Sequence, residues 1–152
     1  MIGKKTFKKA IAEHLEKAGF TKKGQTWYLD GQDVLIATNL QKSDWDEMYY
    51  INIGFWLKGL GEAFFPPYNH CHLSYRAERL FPEQRELILI GCSLEKSNLE
   101  MLAELSQFIQ NLLIPFLRGC TEENKLRELM AKGLLNNGLV FKEARQYLSS
   151  TE

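Results

Sequence analysis

The chain has 152 residues, 45% hydrophobic and 25% charged, the length and composition of one globular domain with a sizeable core. Lysine plus arginine and aspartate plus glutamate each total 19, so the net charge is zero and there is no broad basic field for nucleic-acid binding. No stretch approaches the roughly 20 apolar residues of a membrane span, and Cys71, Cys92 and Cys120 are widely spaced without a C-x-x-C pair, which argues against a zinc knuckle or a disulfide framework.

Residues 4–18 repeat Phe7, Ala10, Ile11, Leu15 and Ala18 at three- and four-residue steps, predicting an amphipathic helix that Gly19 ends in a left-handed conformation. The N-terminus has no apolar signal core, so a reduced, cytoplasmic protein is expected. Residues 20–30 read as a short hairpin about Gly24. Two runs rich in β-branched and aromatic residues, 33–43 and 48–58, flank the acidic "DWDE" and read as adjacent antiparallel strands. Alternation puts Val34, Ile36, Thr38, Leu40, Tyr49, Ile51, Ile53, Phe55 and Leu57 on an apolar face. Ala37, Asn39, Gln41, Tyr50, Asn52, Gly54, Trp56 and Lys58 fall on the other.

Pro66 and Pro67 deny ladder donors and make 59–69 a loop. The following "YNHCHLSYRAE" reads as another strand, with Cys71, Leu73 and Tyr75 toward the core and His70, His72, Ser74 and Arg76 on the polar side. Residues 86–94 fit either a last strand or the first turns of a helix. Ser97, with Glu100 at the capping-box position, opens a helix whose stripe of Leu99, Leu102, Leu105, Phe108, Ile109, Leu112 and Leu113 runs up to Pro115. Thr121 and Asn124 precede a further helix carrying Leu126, Leu129, Met130 and Leu134, stopped at "GLLNNG", and 143–148 form a last frayed turn or two. This order predicts a single α+β domain over 1–152: an antiparallel sheet of about four to five strands, covered on one face by the N-terminal helix and the C-terminal helical part, 97–148. The other face is left to solvent or a partner.

The segments "GFTKKGQTWYLD", "NLQKSDWDEMYYINIGFWL" and "CHLSYRAERL", in that order behind a helix, resemble the bacterial family known as domain of unknown function 4304. The resemblance covers about 7–80, with a looser echo at 113–117, and the matching positions are Gly19, Phe20, Trp27, Gln41, Ser43, Asn52, Gly54, His72 and Arg76. It implies an α+β fold and carries no assigned activity.

A His-x-His pair on one strand would put both imidazoles on one face, about 6.5–7 Å apart, so His70 and His72 form a two-ligand metal alternative. The strands beside them offer Asn39, Gln41 and Asn52, poor zinc ligands, and no third ligand is evident. A metal-assisted hydrolase or transferase with Arg76 as anion clamp is the enzymatic alternative. Alternation turns Cys71 away from both histidines, and Ser74 lacks a nucleophile elbow, so no catalytic residue is assigned and no cofactor is expected. The collective signal is stronger: Asn39, Gln41, Asn52, Trp56, His72 and Arg76 share one sheet face. Amides, an indole, an imidazole and a guanidinium make a directional surface for an anionic small molecule or a protein partner, with neither nucleic acid nor membrane expected. The bland counterpart is that these groups hydrogen-bond one another beneath a covering loop. An immunity- or antitoxin-like inhibitor is a further alternative, by analogy of size and charge alone.

Overall fold

The structure is a computed structural model that describes residues 1–150. Helix α1, Lys4–Lys17, buries Phe7, Ile11 and Leu15 and ends at Gly19, whose φ of +97° is open to glycine at little cost. The hairpin β1, Thr21–Lys23, and β2, Thr26–Asp30, turns through Gly24 at φ +64°. Strands β3, Val34–Lys42, and β4, Tyr49–Leu57, pair over their whole length, with Val34 opposite Leu57 and Lys42 opposite Tyr49.

Strand β5, Leu73–Arg76, is shorter than expected. His70 lies outside it, in a 3-10 turn, Tyr68–His70, that follows the two prolines. Cys71 is buried, yet it joins Tyr28, Leu35 and Ala37 in a small apolar cluster on the second face rather than the main core. Both departures have one cause: the chain reaches the sheet only at Leu73, so alternation does not extend back across the turn.

A sixth strand, β6, Leu139–Val140, pairs with β5 and completes an antiparallel sheet in the order β1-β2-β3-β4-β5-β6. Two residues flanked by turns carry no periodicity to read. Between β5 and β6 lie α2, Ala77–Leu80; α3, Arg85–Gly91; α4, Leu99–Phe108; α5, Ile114–Gly119; and α6, Glu123–Ala131. Helix α7, Lys142–Ser149, closes the described chain. The 86–94 run is therefore helix as far as Gly91, followed by an isolated antiparallel bridge, Ser93 opposite Met48, at which Tyr49 N donates to Cys92 O and Leu94 N to Glu47 O. Gly91 lets α3 approach α4 closely, since a Cβ there would lie 2.8 Å from Leu105 Cβ.

The long helix is capped by Asn98 instead of Ser97: Asn98 Oδ1 accepts from Met101 N at 2.8 Å. It also runs past Pro115. A π-helical segment, Ile109–Leu113, joins α4 to α5, with Ile114 N donating to Ile109 O, so the ladder widens where proline supplies no N–H. Helix α6 takes its cap from afar, as Glu123 N donates to Asp33 Oδ2 at 3.1 Å. The last helix is firmer than a frayed turn, burying Ala144 and Leu148, with Tyr147 O–H donating to Glu123 Oε2 at 2.7 Å.

The apolar sheet face and the helices form one cluster running from Ile2 to Leu148, with Trp27, Phe55, Ile53 and Leu105 among its fully buried members. Each such side chain contributes on the order of 1.5–3 kcal/mol of burial free energy. The second face is not simply open, because the connection between β4 and β5 folds back across it.

Candidate functional site

Register arranges the second face in rows. One row runs Thr26, Asn39, Asn52, Arg76 across four strands; the next runs Tyr28, Ala37, Gly54, Ser74; beyond it Leu35 sits opposite Trp56. The β4–β5 connection lies on the second of these rows. Gly54 permits it, since a Cβ there would lie 2.8 Å from Tyr68 O and 2.9 Å from Cys71 Sγ. This strap is tied to β2 by Tyr28, whose O–H is shared between Phe65 O at 3.0 Å and Pro66 O at 2.9 Å. It divides the face into a polar half and an aromatic half.

In the polar half the amides form a continuous network. Asn52, 2% exposed, donates from Nδ2 to Asn39 Oδ1 at 3.2 Å and to Gln41 Oε1 at 2.9 Å. Asn39 Nδ2 donates in turn to Thr26 Oγ1 at 3.0 Å, and Tyr68 O–H donates to Gln41 Oε1 at 3.3 Å. The amides thus hold one another in place and form an ordered floor.

The unmet donors stand at its edge. The Arg76 guanidinium stacks 3.6 Å from the centroid of the Tyr50 ring. A guanidinium lying on a ring keeps its in-plane N–H groups free at the rim, the geometry that grips a carboxylate or phosphate with two bonds. Arg79, on α2, comes to the same groove of about 320 Å³, together with Asn52, Tyr68, Ser74, Asn137 and Gly138. Neither arginine forms an ion pair among the described residues. Gly138 closes one wall tightly: a Cβ on it would fall 2.3 Å from the Tyr75 ring.

Trp56 and His72 belong to the other half. Their rings lie 4.2 Å apart, and Phe141 meets His72 edge-on at 6.4 Å. His72 is 4% exposed, and its Nδ1 accepts from Leu57 N at 2.9 Å. The imidazole thus completes the edge of β4 just where the backbone ladder to β5 stops. The proton must sit on Nε2 for Nδ1 to accept, and burial holds the ring's pKa below its ordinary value, against a smaller upward pull from Glu143. His70 is exposed on the 3-10 turn, so the two histidines do not share a strand face, and the premise of the His-x-His alternative is absent. Among the described residues no three His, Cys, Asp or Glu side chains are placed to hold a metal ion.

Of the six residues expected together, Asn39, Gln41, Asn52 and Arg76 gather in the polar half, while Trp56 and His72 lie across the strap. Sequence reasoning missed Arg79, Tyr68 and Asn137 as groove-lining residues. Arg79 follows Arg76 by three residues, but strand alternation could not place it, because the chain turns into α2 immediately after Arg76. The cysteines are buried, and burial pushes the Cys71 thiol up to about 12 and Cys120 likewise to about 12, far from nucleophilic readiness.

The family model described as Domain of unknown function (DUF4304) matches residues 11–119, from α1 through α5. The chain belongs to this family. Comparison with curated proteins and with solved structures gave no match. Several positions that carry the resemblance now have physical roles. Gly19 ends α1, Phe20 and Trp27 fill the core, and Ser43 Oγ accepts from Trp45 N and Asp46 N to shape the β3–β4 turn. Gln41 and Asn52 build the amide network, Gly54 seats the strap, His72 completes the edge of β4, and Arg76 offers the free donors. Asn137, Gly138 and Phe141, which wall the groove and pack on His72, lie beyond the matched region.

Proposed function

We propose that this is a non-catalytic binding domain of the bacterial cytoplasm that takes an anionic group in the polar half of its second sheet face. The observation carrying this reading is the pair Arg76 and Arg79, which flank one groove without a carboxylate partner among the described residues, beside a floor of amides hydrogen-bonded to one another. A guanidinium pair of which Arg76 is already fixed on the Tyr50 ring favours a carboxylate or phosphate, with part of the side-chain ordering in place before binding. The Ser74 hydroxyl and the Asn137 amide lie in the same groove and add neutral donors. The anion is either free or displayed on a protein surface, and the two sources share this chemistry.

The test is an amide NMR titration of the full chain with sodium phosphate and sodium acetate at low ionic strength, alongside gentle affinity capture from the native cell. Saturable shifts confined to Asn52, Ser74, Arg76 and Arg79, lost in Arg76→Ala and Arg79→Ala, are expected for a free anion. A stoichiometric protein partner captured by the native chain and not by Arg76→Ala indicates an anion on a protein. Shifts spread evenly over the surface cations, with capture indifferent to Arg76, would overturn the reading.

A further inference from the structure

The strap leaves a second hollow on the aromatic side of the face, unconnected with the two arginines. It encloses about 660 Å³, within the range of small-molecule sites. Its walls are Tyr28, Leu35 and Trp56 from the sheet and Phe64 and Phe65 from the arch above. The arch is tied at both ends: Trp56 Nε1 donates to Gly61 O at 2.9 Å, and Tyr28 O–H holds the Phe65 and Pro66 carbonyls. Phe65 adopts φ +50°, a left-handed conformation costly for a bulky residue, and its ring packs edge-on against Tyr28 at 5.2 Å. Phe64 is left at the lip, 88% exposed.

Charge decides which class of ligand suits these walls. Three charged residues line the hollow: Asp30, Lys58 and Glu62. Lys58 Nζ is taken up by Asp30 Oδ1 at 2.6 Å and by Gly31 O. Glu62 makes no ion pair among the described residues, so the lining carries one uncompensated negative charge. Lys23, which does not line the hollow, sits 4.8 Å from the Phe65 ring centroid, so the aromatic patch already holds one cation over a ring face. An anion would meet Glu62, and the one cation in the lining, Lys58, is already taken by Asp30.

We propose that this hollow is a second binding site, for a small aromatic amine in its cationic form, with the ring against Tyr28 and Trp56 and the ammonium toward Glu62. The site is separate from the anion groove and stands or falls without it.

Three probes of matched size discriminate: 2-phenylethylamine, 2-phenylethanol and phenylacetate, each titrated into the full chain near neutral pH and followed by the Trp56 indole N–H and the Gly61 and Phe65 amides. The amine is expected to bind about fivefold or more tightly than the alcohol, the factor a partly exposed charge contact supports, with phenylacetate weakest. Glu62→Gln should erase the amine's advantage over the alcohol. Phe64→Ala, at an exposed position where the fold is not at risk, should weaken amine and alcohol alike. Equal binding of amine and alcohol, preference for phenylacetate, indifference to Glu62→Gln or Phe64→Ala, or no response at the three reporter signals would each overturn the assignment.

Discussion

Replacing His72 by Phe isolates what the imidazole does for the sheet. Phe keeps an aromatic ring between Trp56 and Phe141, which lie 4.2 Å and 6.4 Å from the His72 ring, but removes the acceptor that Leu57 N–H uses at 2.9 Å. Leu57 is fully buried, so no water replaces that acceptor. A buried donor left unsatisfied costs about 1–3 kcal/mol, and that is the expected loss at pH 7.5. The pH dependence sharpens the test. The folded chain holds His72 below its ordinary pKa, through burial first and against a smaller upward pull from Glu143. In the window between the folded value and the unfolded value of about 6.5, the unfolded chain binds more protons, so stability rises with pH. The contribution is complete above about pH 6.5 and is lost as pH falls through the folded value. Urea unfolding between about pH 5 and 8 should therefore show the gap between wild type and His72→Phe narrowing as the solution is acidified. A gap that stays constant, or a variant as stable as wild type at pH 7.5, would refute the argument.

Arg76→Ala removes an exposed stack on Tyr50 and should cost no more than about 1 kcal/mol, whereas Tyr75→Ala empties a buried site whose O–H donates to Leu135 O at 2.7 Å and should cost about 3–5 kcal/mol. Denaturant melts of the two variants compare them directly, and a reversed order would mean the faces of β5 are misassigned. Thr38 Oγ1 is buried without a hydrogen-bond partner, so Thr38→Val should raise stability by about 1 kcal/mol in the same assay; a loss would reveal a partner for that hydroxyl. All three cysteines are buried, and burial raises each thiol pKa, so a thiol reagent at about pH 8 should label none in the native protein and all three in denaturant. Rapid native labelling of Cys71 would show that the strap lifts from the sheet.

Local pattern was sufficient wherever a single element carries its own periodicity. The stripe of Phe7, Ile11 and Leu15, the turn glycines Gly19 and Gly24, and the alternation of β3 and β4 could be read directly, because side-chain direction there follows from helix or strand geometry alone. The same alternation placed Asn39, Gln41, Asn52 and Arg76 on one face, since antiparallel pairing preserves faces from strand to strand. Other features were decided by contacts between residues far apart in the chain. The two prolines marked a loop, but only the packing of Tyr68 and Cys71 over Gly54 laid it across the sheet and separated Trp56 and His72 from the arginines. A helix expected to end at Pro115 continues because a π turn makes the missing N–H unnecessary and the buried Ile114 and Leu117 reward the extension. Two residues become β6 because β5 offers an open edge, and the groove gains Asn137 and Gly138 through that pairing. Sequence encodes the direction of side chains within an element; which of those side chains a loop covers, and which it leaves free to bind, depends on long-range packing that no local period records.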